Sequence, residues 1–148
     1  MKQADESSVL RKLLTSRYVG VLSTVSVQGQ PYPNLVAYAF ADDLSQLVFA
    51  TPKATRKYAN LRNSNRVAML IDNRTNDITD IREAAAATAI GSARELTSTE
   101  REPWIGQYVR RHPHLDAFVR ADSTAFFCMY VEKYILVTRF QDVVEIDL

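Results

Sequence analysis

The chain has 148 residues, 47% of them hydrophobic and 24% charged, and a formal net charge of +1. That length and balance suit one globular domain over residues 1–148 and exclude a disordered or collagen-like chain. The single cysteine, Cys128, excludes an internal disulfide, and the scattered arginines exclude a concentrated nucleic-acid surface.

The first eight residues are polar and mix acids with a lysine, so no signal-peptide core opens the chain. No apolar run reaches the 18 or so residues a membrane helix needs, which points to a soluble, cytoplasmic protein with no membrane partner. Residues 5–16 are predicted as a helix with the stripe Val9, Leu10, Leu13 and Leu14. Residues 17–27 are rich in β-branched side chains and end at Gln28-Gly29-Gln30-Pro31. A second strand over 34–40 stops at Ala41-Asp42-Asp43, and a third covers 46–50. The three form consecutive hairpins, an antiparallel meander.

Next comes Thr51-Pro52-Lys53-Ala54-Thr55-Arg56-Lys57. Thr51 suits a helix N-cap and Pro52 the first helical position, so a helix is predicted from there to about Asn63. Its apolar stripe is Ala54, Tyr58 and Leu61. Lys53, Arg56 and Lys57 then share another face. Cations near a helix N-terminus oppose the helix dipole, at a cost of a few tenths of a kcal/mol each. Their presence makes sense if an anion, a phosphate above all, sits on the free amides. The competing reading is a solvated basic face. Thr51 is either the cap alone or a cap that also touches the ligand.

Residues 66–71 are a short apolar strand, followed by the polar loop Asp72-Asn73-Arg74-Thr75-Asn76-Asp77. The alanine-rich stretch from 84 favours helix by propensity, but its continuation through Gly91 to Leu96 has the look of a strand with a glycine bulge. Strand is the choice, with small residues that let a backbone or a flat ligand come close. Thr97 and Glu100 form a capping box for a helix through about Arg111. Pro113 opens a short helix to about Arg120, and strands over 125–138 and 143–147 close the chain. This order fits a mainly β protein, a small β-barrel with flanking helices plugging its ends.

Other constellations carry less. His112-Pro113-His114 lacks a second ligand cluster, so no metal site is expected. Gly20, Gly29, Gly91 and Gly106 make neither a P-loop nor a dinucleotide fingerprint. Cys128 sits in an apolar run as a buried, inert thiol. Trp104 and Tyr108 read as packing residues, and Arg110-Arg111 as a solvated helix end.

The arrangement resembles the FMN-binding split-barrel family typified by pyridoxamine 5′-phosphate oxidase. Phe49-Ala50-Thr51 followed by Thr55-Arg56-Lys57 matches the family's strand-to-helix phosphate motif. Pro33-Asn34-Leu35-Val36 resembles the strand lying along the flavin, and 61–67 resembles the family's ending of that helix. Asp72-Asn73-Arg74 and the stretches 131–134 and 139–141 also look familial. The resemblance implies a Greek-key-like antiparallel split β-barrel of six to seven strands. It implies an FMN site built from Asn34, Leu35, Val36, Thr51, Thr55, Arg56, Lys57 and Arg74. It implies a homodimer with the flavin at the interface and a small-molecule substrate or electron donor. A deazaflavin or haem are the alternative cofactors, and flavin sensing or storage without turnover is the alternative role. Arg139 is a further candidate for the flavin edge or a substrate anion. Two departures point away from pyridoxamine phosphate as substrate. Pro33 and Asn34 stand where the oxidases carry an arginine, and the segment that grips pyridoxal phosphate has no match after 143–148.

Overall fold

A computed structural model describes residues 2–148, with side chains from Asp5 onward. Helix α1 (Lys2–Ser16) leads into β1 (Val19–Val25), β2 (Pro31–Phe40) and β3 (Gln46–Pro52). Helix α2 (Arg56–Asn63), β4 (Arg66–Asp72), the one-turn α3 (Asp80–Glu83) and β5 (Ala86–Glu95) follow. Helix α4 (Ser98–Arg111), a 3-10 turn (Pro113–Leu115), α5 (Asp116–Arg120), β6 (Thr124–Thr138) and β7 (Asp142–Asp147) complete the chain.

The strands lie in the order β3-β2-β1-β4-β5-β6-β7, and β3 also pairs with β6. Every pairing is antiparallel. Six strands therefore close a barrel, and β7 extends it along the second half of β6. The meander β1-β2-β3 with β4 returning beside β1 is a Greek key. Closure removes the unpaired edges that an open sheet would expose.

Alternation sets the two faces. In β1, Gly20, Leu22 and Thr24 are buried, while Val19, Val21 and Ser23 face outward. Leu10, Leu13 and Leu14 of α1 join Leu22, Tyr38, Met69 and Tyr134 in the main core, so α1 stoppers the barrel. Each such side chain contributes about 1.5–3 kcal/mol by leaving water. A second cluster forms outside the barrel, where Ile105 and Tyr108 of α4 and Val119 of α5 cover Val48, Phe126 and Cys128. Trp104 packs against that cluster, as expected, and burial pushes the Cys128 thiol upward in pKa.

The β5 bulge falls where the glycine suggested, with the register shifting between Ile90 and Gly91. The capping box is complete: Glu100 N–H donates to Thr97 Oγ1 at 3.2 Å, and Thr97 N–H donates to Glu100 Oε1 at 3.0 Å. With Arg94 donating to it as well, the Glu100 carboxyl is pulled down to about 2. Two expectations change. Helix α2 begins at Arg56, capped by Thr55, because Pro52 still belongs to β3 and pairs with Thr124. Arg111 is no solvated helix end. Its guanidinium lies 5.3 Å from each of the Tyr18, Tyr38 and Phe40 rings and donates to the carbonyls of Leu14, Arg17 and Tyr38. No described helix is long and apolar enough to cross a membrane.

Candidate functional site

The turn from β3 into α2 gathers the predicted cations. Thr51 is fully buried, and its hydroxyl lies 3.2 Å from that of Thr55. Thr55 Oγ1 donates to the Pro52 carbonyl at 2.8 Å and accepts from Tyr58 N–H at 3.2 Å. The two hydroxyls thus shape the turn, and Thr55 satisfies the third helical amide. The amides of Arg56 and Lys57, the first two of the helix, have no helical acceptor. Lys53 and Ala54 stand exposed before the helix and leave its apolar stripe to Tyr58 and Leu61.

Lys57 is the unusual member. It is only 7% exposed, yet among the described residues no hydrogen bond or ion pair reaches its ammonium. Burial pushes its pKa down. Its stem is packed while its Nζ is not sealed from water, so the charge stands at the mouth with no protein counter-charge among the described residues. Arg56 stands at the surface, its guanidinium 5.4 Å from the centre of the Tyr32 ring on β2. No carboxylate pairs with it among the described residues. One turn on, Asn60 Nδ2 donates to Thr24 Oγ1 at 3.0 Å in a buried contact, which ties α2 to the end of β1. Tyr32 and Asn60 are the members of this mouth that sequence reasoning missed. Tyr32 lies between two prolines, ahead of the predicted start of β2 at residue 34, and Asn60 looks like an ordinary polar helix residue.

On β2 the three predicted residues divide by alternation. Val36 points into the core, and Leu35 points outward and is 66% exposed. Asn34 pairs in register with Leu22, and its side-chain Oδ1 is buried without a partner. Arg74 lies away from α2, beyond the end of β4, where its Nε holds Asp72 Oδ2 at 2.7 Å. It shares with Leu35 an outward groove of about 520 Å³. Arg139 is exposed in the turn between β6 and β7, in the left-handed region at φ 48°. His112 is buried, with Nε2 2.7 Å from the Tyr38 carbonyl, so that nitrogen is taken up by the fold.

The arrangement is a closed Greek-key barrel whose end carries a helix start with two free amides, an exposed arginine and a buried, unmatched lysine. This defines a barrel of the split type with a cationic helix start at one mouth. The family model for pyridoxamine 5′-phosphate oxidase matches residues 8–137, and the chain belongs to that family. Solved structures share the fold. The haem-binding protein from Mycobacterium smegmatis superposes with a TM-score of 0.83 at 16% identity, over 93% of this chain and 55% of that one. HutZ, the haem storage protein from Vibrio cholerae, gives 0.75 at 16% identity, over 89% and 93%. A FAD-binding protein from Mesorhizobium loti gives 0.70 at 21% identity, over 88% and 90%. The chain thus spans little more than half the length of the Mycobacterium smegmatis protein. No curated protein matches it in sequence.

Proposed function

We propose that the protein binds FMN at the start of α2 and acts as a flavin-dependent oxidoreductase on a small organic molecule. The carrying observation is Lys57, 7% exposed and, among the described residues, with no counter-charge, beside two free helix amides. A phosphate at that point would accept from the amides and neutralise Lys57 and Arg56 through charge-assisted hydrogen bonds. Thr51 and Thr55 hold the turn in which this occurs. The backbone of Asn34, Leu35 and Val36 would offer groups to the ring edge, and Leu35 would add its exposed apolar side chain. The flavin supplies hydride transfer; the chain binds and orients it. A small-molecule substrate or a nicotinamide donor completes that reading.

The outward face at Val19 and Leu35 is apolar and exposed, which supports a homodimer that covers the flavin. A second reading, a haem-holding protein without turnover, has support from two structural neighbours, a haem-binding and a haem storage protein. The same cations would suit haem propionates.

The deciding experiment is a visible spectrum of the purified protein with mass identification of any released cofactor, followed by titration with FMN and with haem. Saturable FMN binding that disappears in Arg56→Ala/Lys57→Ala supports the proposal. Full FMN binding by that double variant, or haem uptake without FMN uptake, sinks it.

A further inference from the structure

The mouth at α2 holds a closed ring of contacts. Thr24 and Tyr32 stand opposite each other on β1 and β2, so their side chains share the inner face. Asn60 Nδ2 donates to Thr24 Oγ1 at 3.0 Å, and that hydroxyl donates to the Tyr32 carbonyl at 3.4 Å. The Tyr32 ring in turn lies beneath the Arg56 guanidinium, its centre 5.4 Å away. Arg56 and Asn60 are four residues apart, on one face of α2. The contacts therefore leave α2 one turn in, cross both strands and return to the first residue of the helix.

The ring has a firm side and a loose one. Thr24 and Asn60 are buried, and each meets the other's need: the hydroxyl accepts from the amide and gives its single hydrogen to β2. Arg56 is exposed and pairs with no carboxylate among the described residues. A free arginine side chain samples many rotamers, and an arriving anion must freeze them. An aromatic face beneath the guanidinium limits that freedom and leaves the N–H edge free to bond.

We infer that Tyr32 is a positioning residue for Arg56: held in place by Thr24 and Asn60, its ring keeps the guanidinium at the mouth before any anion arrives. The consequence for FMN rests on the proposed phosphate site, whereas the placement of Arg56 does not.

The test has two readouts. The first is the Arg56 Nε–H signal in the NMR spectrum of the ligand-free full chain, identified by its loss in Arg56→Lys. The ring beneath the guanidinium should move that signal upfield. The displacement should vanish in Tyr32→Leu and in Thr24→Val, and survive in Tyr32→Phe and in Thr24→Ser. The second readout is FMN titration by fluorescence. Tyr32→Leu should weaken FMN about two- to fivefold and Tyr32→Phe should not. In an Arg56→Ala background Tyr32→Leu should cost nothing further, an outcome that a merely structural role for the ring would not give. A wild-type signal without displacement, a displacement that persists in Tyr32→Leu or Thr24→Val, or an equal Tyr32→Leu loss with and without Arg56 overturns the inference. Absence of FMN binding by the wild type sinks the flavin reading alone, and the Arg56 signal then decides the role of Tyr32.

Discussion

Gly91 lies so close to Tyr130 that a β-carbon on it would fall 2.0 Å from the Tyr130 carbonyl oxygen. The obstacle is backbone on the strand that closes the barrel, so no side chain can swing aside. The bulge between Ile90 and Gly91 and the path of β6 are thus linked through an absent side chain.

Gly91→Ala should therefore cost about 3 kcal/mol or more, with Gly106→Ala, whose added carbon meets nothing within 4 Å, as the control. Urea unfolding of the two variants measures the difference. Equal midpoints would mean that β5 and β6 can separate without penalty.

Lys57→Met should act in opposite directions on stability and on ligand binding. Removing a partly desolvated charge that has no partner among the described residues should stabilise the ligand-free protein, by up to about 1 kcal/mol. Losing one charge-assisted bond should weaken FMN by about 1.5–3 kcal/mol, roughly ten- to a hundredfold. Thermal melts without flavin and a fluorescence titration with it give the two numbers. A destabilised variant with intact affinity would contradict both the burial argument and the phosphate assignment.

Arg110 and Arg111 are adjacent in sequence and opposite in role. Arg111→Ala removes the donor serving three carbonyls, those of Leu14, Arg17 and Tyr38, and should cost about 2–3 kcal/mol. Arg110→Ala, at an exposed position, should stay within about 0.5 kcal/mol. Denaturant midpoints of the pair test the contrast.

His112 should make the fold sensitive to mild acid. Burial holds its pKa below that of the unfolded chain, so the unfolded state takes up the proton first. Its contribution to stability is complete above about pH 6.5 and declines as the pH falls below that value toward the depressed folded pKa. His112→Gln should flatten the stability slope between about pH 6.5 and 5, above the range in which ordinary carboxylates titrate. An unchanged slope would show that His112 protonates equally in both states.

Leu35→Glu should turn the proposed homodimer into monomers, because it places a charge at the centre of an exposed apolar face. Sedimentation velocity reads the outcome directly. A dimer that persists would place the contact on another face.

Much of the architecture was legible because it rests on local rules. The Thr97–Glu100 capping box, the bulge at Gly91 and the leucines of the α1 stripe each depend on residues within a turn or two of one another, although Val9 of that predicted stripe lies 42% exposed outside the core. The start of α2 was misjudged for the same reason. Thr51 and Thr55 are both sound caps, and only the pairing of Pro52 with Thr124 on distant β6 assigns the cap to Thr55. Arg111 was misjudged because a terminal arginine on a helix is ordinarily solvated, and the aromatic rings that receive it come from residues 18, 38 and 40.

By itself the sequence determined the strand and helix order, the β1–β3 meander and the run of cations at 53–57, since hydrophobic period and turn chemistry are short-range, while the Greek-key order came only through the family resemblance. Tertiary structure decided which of those cations is buried, which face of β2 each residue takes relative to the closed barrel, and where Arg17 and Arg111 meet. Burial and charge neutralisation depend on what other segments bring into contact, and barrel closure pairs β3 with β6, from Gln46 with Tyr130 to Pro52 with Thr124, residues that carry no local mark of one another.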